Sequence, residues 1–330
     1  MRGDARFEIR PYGDGDETAI LGLFAESFPH APRSLQHFDW KYRRNPFGNG
    51  RIVLTFDEGK RLVGHYAAYP VPFRWGTRNL LAQQVGDTMT DAGVRHIGRG
   101  ATSILGRTAL EFYRRFCGGI AFNYGFNVSN IQKFSLRFLR SERVEPVSYR
   151  MLEPSRLRRS SRLERRAHGF SLELVERAGP ALDEFFGRAS HAYDLLVRRD
   201  AAYLQWRYLD CPDRKYTVVA VRKWLQVVGW IVYRTEGSRL ILGDMLLHPG
   251  VPEALELVLA HVIELHGCAT VEGWFPSRPA WLSERLDRAG FVQQPEPQDL
   301  SLMCVPFALA ETAAVMRSSL YYTWGDSDLF

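Results

Sequence analysis

The chain has 330 residues, so at about 150 residues per domain we expect two domains. Hydrophobic residues make up 45% and charged residues 24%, which excludes a disordered chain, a collagen-like repeat and a small disulfide scaffold. The net charge of +6 comes with 38 arginines and only five lysines, and it suits a nucleotide cofactor as well as a nucleic acid.

Membrane and disulfide signals are weak in this sequence. No apolar run is long enough to span a membrane, and the N-terminus lacks the apolar core of a signal peptide. The four cysteines are scattered, without a paired motif or a neighbouring histidine cluster. We therefore expect a reduced, cytoplasmic protein with no metal site.

In the first part of the chain, the spacing of apolar residues predicts alternating strands and helices. Residues 7–10 form a first strand, and residues 16–27 carry apolar side chains at helical spacing. Two β-branched runs, 52–56 and 62–73, predict a hairpin across a turn-type sequence. After the hairpin we expect a strand over 80–90, a helix over 101–116, a strand over 120–126 and a helix over 130–139.

A glycine-rich loop joins the predicted strand 80–90 to the helix that follows it. The pattern Arg95-x-x-Gly98-x-Gly100 lets backbone N–H groups approach a ligand, and the helix start adds a positive dipole end. Arg95 and Arg99 add full positive charges. The spacing is neither a Rossmann fingerprint nor a P-loop. The loop predicts a phosphate or pyrophosphate cradle, with a glycine-rich helix cap bearing surface arginines as the alternative.

A repeat divides the chain into two halves. The pattern apolar-x-Trp-basic-Tyr-x-x-x-Pro occurs at 38–46 and again at 204–212. Each copy is followed by a β-branched run, a Val-Gly pair and a Gly-Asp pair, the last being Gly86-Asp87 and Gly243-Asp244. Tryptophan and tyrosine are rare enough for this agreement to indicate two homologous α/β modules.

The modules are predicted at 1–150 and 180–330, with an arginine-rich linker at 151–179. Two explanations of the arginines stay open: a basic patch for nucleic acid or anionic lipid, and a solvated linker. Aromatic residues do not interleave with them, so a stacking platform for single strands is not supported. The seven arginines are Arg150, Arg156, Arg158, Arg159, Arg162, Arg165 and Arg166.

The segment Arg95-x-x-Gly98-x-Gly100-Ala101, after a strand and before a helix, resembles the signature of the GCN5-related N-acetyltransferases (GNAT). The resemblance covers about residues 6–140. It implies an α/β fold of two tandem GNAT-like modules, each a mixed, mostly antiparallel central sheet flanked by helices. It also implies acetyl-CoA or another acyl-CoA as cofactor and a small-molecule amine as acceptor.

The same resemblance implies where the cofactor binds. The loop would hold the pyrophosphate, and the strand backbone before it would contact the pantetheine arm. Residues 126–129 resemble a Phe-x-Asn-x-x-Ser stretch common in tandem members of the family. The implied cofactor residues are Met89, Thr90, Arg95, His96, Ile97, Gly98, Arg99, Gly100, Ala101, Asn127 and Ser129.

The second module lacks the loop. Where the first has Gly-Val-Arg-His-Ile-Gly at 93–98, the second has Gly-Val-Pro-Glu-Ala-Leu at 250–255. Glu253 and Glu256 would repel a pyrophosphate. We expect a single CoA site, in the first module.

The catalytic groups are less clearly indicated. Asp87 is the nearest carboxylate for a general base, but Asp244 matches it in the module without the loop, which favours a structural role. The backbone at Met89 and Thr90 is the expected oxyanion contact. The family's usual acid, a Tyr seven residues after Asn127, is Phe134 here. Tyr124, Tyr113 or Ser129 then substitutes, or the thiolate leaves without a dedicated acid.

Two further groups of residues are candidates for the acceptor side. His65 and Tyr66 lie on the second hairpin strand, where alternation would turn one of them inward, and His30 and His37 precede it in the chain. Simple solvation is the alternative for each histidine.

The C-terminus, 320–330, is aromatic and acidic, so we expect it to dock on the body of the protein. In the enhanced-intracellular-survival aminoglycoside acetyltransferases, which it resembles, a C-terminal carboxylate is the base. That resemblance implies the role for Phe330, with Asp326 and Asp328 as alternatives.

Three functions follow from these observations. The first is acyl transfer from acyl-CoA to a small amine, such as an amino sugar or amino-acid derivative, by direct attack in a ternary complex. The second is a FemABX-like peptidyltransferase using aminoacyl-tRNA, and the third is a non-catalytic acyl-CoA-binding protein. We expect no membrane and no nucleic-acid partner, and we leave a homodimer open.

Overall fold

The computed structural model describes residues 7–157, 168–251 and 253–330. These residues form sixteen strands: β1 (Glu8–Pro11), β2 (Arg51–Phe56), β3 (Leu62–Trp75), β4 (Arg78–Thr90), β5 (Phe122–Asn127), β6 (Glu142–Pro146), β7 (Tyr149–Leu152), β8 (Phe170–Leu174), β9 (Leu195–Val197), β10 (Thr217–Lys223), β11 (Gln226–Glu236), β12 (Arg239–Leu247), β13 (Thr270–Trp274), β14 (Val292–Gln294), β15 (Ser301–Pro306) and β16 (Leu320–Tyr321).

The α-helices of the described residues are α1 (Glu17–Ser27), α2 (Leu35–Phe38), α3 (Ile104–Phe116), α4 (Ser129–Phe138), α5 (Pro180–Ala189), α6 (Ala201–Leu204), α7 (Glu253–His266), α8 (Ala280–Ala289) and α9 (Thr312–Ser319). The short helices α2 and α6 continue into π-helical turns at Asp39–Arg43 and Gln205–Leu209, which are the two copies of the Trp-basic-Tyr repeat. Within the described part of the chain, no helix is long and apolar enough to cross a membrane.

The chain folds into two compact units. The described residues of the first unit are 7–72, 80–145 and 301–314. Those of the second fall within 73–79, 146–300 and 315–330. Neither unit is contiguous in sequence, whereas the modules predicted from the repeat are.

The first unit is built on a mixed sheet. Its strand order is β1-β2-β3-β4-β5-β15-β6. β1 pairs antiparallel with β2, β2 with β3, and β5 with β15, whereas β4 and β5 run parallel. The parallel pairing is brief, joining Gln83 to Asn123 and Gln84 to Tyr124. β4 and β5 diverge beyond this point.

The second unit repeats the arrangement, with strand order β14-β7-β13-β12-β11-β10-β8. Here β12 and β13 form the parallel pair, over Arg239–Ile241 and Thr270–Glu272. The predicted fold class, two α/β modules with mostly antiparallel central sheets flanked by helices, is confirmed.

Along the main strand order of each sheet, one strand falls wholly or partly within the other predicted module. β15 follows the second repeat in the chain but lies between β5 and β6 in the first unit. β7 precedes the second repeat but lies between β13 and β14 in the second unit. The sequence does not indicate this exchange, because a buried strand such as β15 carries apolar residues that do not specify which sheet it joins.

Apolar residues of the first unit divide between the two faces of its sheet. Ile52, Leu54 and Phe56 of β2 pack on one face with residues of α1. Val53, which lies between them, packs on the other face with Phe112 and other residues of α3. This alternation is the strand period expected from the sequence.

Two local expectations need correction. The helix predicted from residue 101 begins at Ile104, because Gly100–Thr102 forms a separate 3-10 turn and Ser103 caps the helix by accepting a hydrogen bond from the Gly106 N–H. Arg150, counted with the basic linker, is buried in the second unit and donates to Asp287 at 2.5 Å. The linker arginines at 158–166 lie outside the described residues.

The position of β15 gives a test of the strand exchange. Leu302 is fully buried and lies opposite Phe126 of β5. We expect Leu302→Ala to lower the free energy of unfolding by about 2–5 kcal/mol. It should also accelerate hydrogen exchange of the β5 amides, although β5 lies far away in sequence. Exchange by mass spectrometry measures this.

The matched control is Leu225→Ala, at a leucine that is 90% exposed. It should leave both the stability and the exchange of β5 unchanged. Unaltered protection of β5 in Leu302→Ala would contradict the pairing of β5 with β15.

Candidate active site

Strand β4 has a break in its regular geometry at Asp87. This residue has a φ of +51°, in the left-handed region that residues other than glycine seldom adopt. Its carboxylate accepts hydrogen bonds from Lys41 Nζ at 2.7 Å and from the Tyr42 hydroxyl at 2.6 Å. Lys41 and Tyr42 are buried. A buried ion pair with an added hydroxyl therefore holds the irregular residue in place.

The break changes which side chains of β4 share a face. Val85, before it, packs against the apolar cluster on the α3 side of the sheet. Met89, after it, packs on the opposite side with residues of α1. Thr88 and Thr90 line a cleft together with the first turn of α3. Val85, Thr88 and Thr90 thus face α3 together, which an unbroken strand would not allow.

The protonation of Asp87 follows from its partners. Burial alone would raise the pKa of this carboxyl, but the Lys41 charge and the hydrogen bonds from Lys41 and Tyr42 outweigh it and hold the pKa well below its usual range. Asp87 is therefore an ionised structural anchor and a weak proton acceptor. This favours the structural role over the predicted role of general base.

His65 supports the same point of the strand. Its Nδ1 lies 2.6 Å from the Asp87 carbonyl oxygen, which can only accept, so Nδ1 carries the proton. Burial, with a smaller contribution from the Lys41 charge, lowers the pKa of His65 to about 4, although Asp87 opposes the shift. The imidazole is thus neutral at physiological pH. His65 and Tyr66 are both buried, which excludes simple solvation of His65, and a role of either residue on the acceptor side stays a prediction.

The loop after β4 is folded by its own glycines. Gly98 and Gly100 have φ values of +71° and +57°. A Cβ on Gly98 would overlap the Thr102 carbonyl oxygen, and one on Gly100 would overlap the ring of Phe138. Both glycines are therefore required by the loop itself.

The loop also directs Arg95. The Asp91 carboxylate accepts a hydrogen bond from the Gly93 N–H at 2.8 Å and caps the first turn. Arg95 Nε donates to the Thr90 carbonyl oxygen at 3.1 Å, so the guanidinium lies beside the end of β4.

A cleft of about 530 Å³ opens between β4, the loop, α3 and α4. Arg95 and Arg99 are exposed and put two positive charges at the loop end of the cleft. The hydroxyl oxygen of Thr90 is buried and has no hydrogen-bond partner among the described residues. The lining residues are Thr88, Thr90, Arg95, Gly98, Arg99, Gly100, Ser103, Ile104, Leu105, Ile131 and Phe134.

The cleft brings together five of the residues predicted to bind the cofactor: Thr90, Arg95, Gly98, Arg99 and Gly100. His96, Ile97 and Ala101 belong to the same loop outside this lining, the Met89 side chain lies in the core, and Ser129 begins α4. Six lining residues were not among the predicted cofactor residues, although Thr88 lies on the strand expected to contact pantetheine: Thr88, Ser103, Ile104, Leu105, Ile131 and Phe134. The sequence indicates the side of the cleft formed by α4 through Ile131, an apolar but exposed residue one turn before Phe134 on an amphipathic helix.

A second, smaller cavity of about 40 Å³ lies where β4 and β5 part. The hydroxyls of Tyr66 and Tyr113 are 3.1 Å apart within its wall. Tyr124 and Asn127, both predicted site residues, line this cavity. The complete lining is Tyr66, Val85, Tyr113, Asn123, Tyr124, Gly125, Asn127, Ser135, Ser141, Met303, Cys304 and Val305.

The second unit repeats the anchor. Tyr208, which matches Tyr42 in the repeat, donates to the Asp244 carboxylate at 2.6 Å. Arg199, fully buried, provides the cation at 3.0 Å. The Tyr–Asp hydrogen bond that the repeat identifies is therefore found in both units, whereas the cation comes from the repeat in the first unit (Lys41) and from outside it in the second (Arg199).

The C-terminal tail is packed into the second unit, as its aromatic content indicates. Trp324 stacks on Trp274 at the end of β13, with ring centroids 4.9 Å apart. The ring of Phe330 lies against Gly243 of β12, where a Cβ would overlap it. Arg207 Nη2 donates to the Phe330 carbonyl oxygen at 3.4 Å. The tail thus lies where β12 and β13 part, and the base role of Phe330 stays a prediction.

The other candidates are distributed as follows. Asp326 is buried in the second unit and bonded to Arg199 at 2.5 Å, with burial, the largest influence, raising its pKa to about 6. His37 is buried near Trp40, whereas His30 is exposed. Burial raises the pKa of Tyr113 to about 12.

Comparison with known proteins places this geometry in a family. Residues 8–136 match the model of an acetyltransferase (GNAT) domain. A search of curated protein sequences found no match. Several solved structures share the fold over most of the chain.

A "probable N-acyltransferase" from Enterococcus faecalis is 11% identical, with a TM-score of 0.68, over 92% of this chain and 73% of its own. A GCN5-related N-acetyltransferase from Kribbella flavida is 16% identical, with a TM-score of 0.64, over 95% of this chain and 74% of its own. Eis1 from Mycobacterium abscessus is 16% identical, with a TM-score of 0.61, over 90% of this chain and 73% of its own. These likenesses concern the fold, whereas the family match covers the cleft and its loop. Residues 8–136 therefore match the acetyltransferase (GNAT) domain family, and the chain shares its fold with the solved structures named above.

Proposed function

We propose that this protein transfers an acyl group, most simply acetyl, from acyl-CoA bound in the cleft to the amine of a small molecule. One observation supports this most strongly. The cationic, glycine-built loop closes one end of a cleft whose wall is β4, within the segment that matches the acetyltransferase domain.

The residues of the cleft suit acyl-CoA. Arg95 and Arg99 would pair with the pyrophosphate, with the backbone of the loop and the start of α3 as further donors. The buried Thr90 hydroxyl, which lacks a partner, would bond to an amide of the pantetheine arm. The apolar side chains of Ile131 and Phe134 would cover the arm and exclude water.

When bound, acyl-CoA supplies an acyl group activated as a thioester. Transfer to a neutral amine would form a C–N bond and break the C–S bond, and the proton that the amine loses would leave with the CoA sulfur as a thiol. Phe134 keeps water out of this region and donates no proton. Tyr124 and Tyr113, the tyrosines that the sequence offered in place of the acid, line the small cavity where β4 and β5 part. Asp87 acts as a positioning residue, and an amino sugar or amino-acid derivative is the acceptor class we propose.

Charge reversal in the loop tests where the cofactor binds. Arg95→Glu should weaken binding of acetyl-CoA by about 10- to 100-fold, because a charge-assisted hydrogen bond worth about 1.5–3 kcal/mol becomes a repulsion. Isothermal titration calorimetry measures the change.

Arg288→Glu is the matched control, since Arg288 is an exposed arginine of α8 in the second unit and its reversal changes the net charge equally. It should bind acetyl-CoA like the unmodified protein. Equal affinities for the two variants would refute the loop as the binding site.

Turnover tests the reaction itself. With acetyl-CoA and a panel of amino sugars, amino acids and polyamines, we expect release of free CoA thiol that depends on the amine and rises with pH as the amine loses its proton. A thiol reagent follows the release. Tight binding of acetyl-CoA without release for any amine would instead favour a binding protein.

The anchoring role of Asp87 predicts a pH-dependent stability difference. The folded-state pKa of Asp87 lies below its unfolded value of about 4, so the ion pair stabilises fully above that pH and its contribution is lost as the pH falls. Asp87→Asn should therefore be less stable than the unmodified protein by about 3 kcal/mol at pH 7, because the buried Lys41 ammonium loses the negative charge of its Asp87 partner. The difference in the free energy of unfolding between the two proteins, measured by urea unfolding, should narrow below pH 4.

The alternative makes a different prediction. If Asp87 were the general base, Asp87→Asn would unfold like the unmodified protein and lose kcat alone. A stability gap that stays constant with pH would also contradict the ionised anchor.

A further inference from the structure

The turn between β10 and β11 in the second unit displays two adjacent apolar side chains, which we call the apolar tip. Trp224 is 62% exposed and Leu225 is 90% exposed, and together they form the turn between Lys223 and Gln226. Turns of this length normally use glycine, asparagine or aspartate. Trp224 also has a φ of +55°, which a bulky residue seldom adopts. The needs of the hairpin therefore do not explain the residues of its turn.

Trp224 is held in its exposed position by the segment before β8. Its backbone N–H donates to the Gly169 carbonyl oxygen at 2.5 Å, and a Cβ on Gly169 would overlap the indole ring. The ring of His168 packs edge-on against the indole, with the ring centroids 5.2 Å apart. Gly169 has a φ of +81°, a conformation that glycine adopts readily. The apolar tip is thus preformed and supported from one side.

Positively charged side chains lie beside the apolar tip. Arg222 and Arg188, the latter from α5, donate hydrogen bonds to backbone carbonyl oxygens of the hairpin at 3.0 Å and 2.9 Å. Lys223 directly precedes the tip, and its ammonium lies 5.4 Å from the centre of the Phe170 ring on β8. Glu173 pairs with Arg222, which leaves a surplus of positive charge among these side chains.

The chain that leads to the tip is also basic. The stretch 158–166, which lies outside the described residues, contains five arginines and one glutamate. It ends two residues before His168, whose ring touches Trp224. In sequence and in structure, the exposed indole and leucine therefore have cationic neighbours.

We propose that the apolar tip adsorbs to an anionic lipid surface, where Trp224 and Leu225 enter the interfacial layer and the cations beside them pair with lipid phosphates. Tryptophan favours the membrane–water interface, and clustered basic residues favour anionic lipid. The inference is independent of the proposed function. It replaces the expectation of no membrane partner, which concerned spanning segments and signal peptides, because this contact lies on the membrane without crossing it.

Other partners fit the apolar tip less well. An indole can stack on a nucleic-acid base, but the neighbouring Leu225 has no comparable contact to make with bases or phosphates. A stable protein–protein interface buries about 800 Å² on each partner, far more than two side chains supply. A lipid surface has no fixed contour, and it accepts single apolar side chains together with the charges around them.

Flotation of the full chain with lipid vesicles tests the proposal. We expect binding to phosphatidylcholine vesicles that contain about 30% phosphatidylglycerol to be at least about tenfold tighter than binding to phosphatidylcholine alone. The affinity should fall as salt is raised, because salt screens the attraction between the cations and the lipid surface. Absence of binding to both kinds of vesicle would overturn the proposal.

The apolar part of the contact is tested by Trp224→Gly/Leu225→Ser. A glycine–serine pair suits a two-residue turn, so this variant should unfold in urea like the unmodified protein. Its affinity for the anionic vesicles should fall at least about tenfold, because both apolar side chains are lost. Leu265→Ser is the matched control, at a leucine of α7 that is 62% exposed, and should bind unchanged.

The charged part is tested by Lys223→Glu. Each basic residue near an anionic surface contributes about fivefold in affinity, so reversal of this charge should weaken vesicle binding by about tenfold or more. Lys215→Glu is the matched control, since Lys215 is exposed and precedes β10 at the end away from the turn. Equal affinities for the two variants would contradict a contact at the tip.

Vesicles with brominated acyl chains show which tryptophan enters the lipid, because bromine quenches nearby tryptophan fluorescence. The unmodified protein should be quenched on binding, whereas Trp224→Phe should still bind with little quenching. Equal quenching of the two proteins would overturn the assignment to Trp224.

Three further outcomes would overturn the proposal and identify another partner. Vesicle binding that persists in Trp224→Gly/Leu225→Ser would assign the lipid contact to the arginines of 158–166 alone. Binding of transfer RNA in place of vesicles, lost in the same variant, would assign the tip to a nucleic acid. Dimerisation in place of vesicle binding, lost in the same variant, would assign it to a second copy of the chain.

Discussion

The ion pair between Lys41 and Asp87 is the interaction on which the arrangement of the site depends. Asp87 adopts a left-handed φ that a regular strand avoids, and the buried ammonium, the Tyr42 hydroxyl and His65 hold it there. The break brings Val85, Thr88 and Thr90 onto the face toward α3. Because breaking a buried pair leaves an uncompensated charge, the geometry of β4 is costly to alter. A single local irregularity thus turns three side chains of β4 toward the helix that follows the cationic loop.

The second unit shows which part of this arrangement belongs to the fold. Its Asp244 is held by Tyr208 and a buried arginine, so the anchor is present without the cationic loop. Where its parallel strands part, the aromatic tail packs against Trp274 and Gly243. The anchor is therefore a structural element of both units, and the loop and the open cleft distinguish the first. We infer that the tail fills in the second unit the space that the first leaves for a ligand.

Local patterns in the sequence predicted the strands, the helices and the loop, because side-chain period and glycine placement are properties of short segments. The structure adds what depends on distant residues. β15 was not assigned to the first sheet because its apolar residues would suit either unit, and the small cavity combines side chains from Tyr66 to Val305. Asp87 stands out in the sequence, but its ionisation depends on Lys41, a partner 46 residues away. Lys41 and Asp87 both belong to the repeat, but the sequence does not show that they contact each other.

The most direct test is a crystal structure of the protein with acetyl-CoA bound. We predict the pyrophosphate beside Arg95 and Arg99 and the pantetheine arm along Thr90 and Thr88. Asp87 should keep its contact with Lys41. A cofactor bound in the second unit, or on the face of β4 toward α1, would contradict the account.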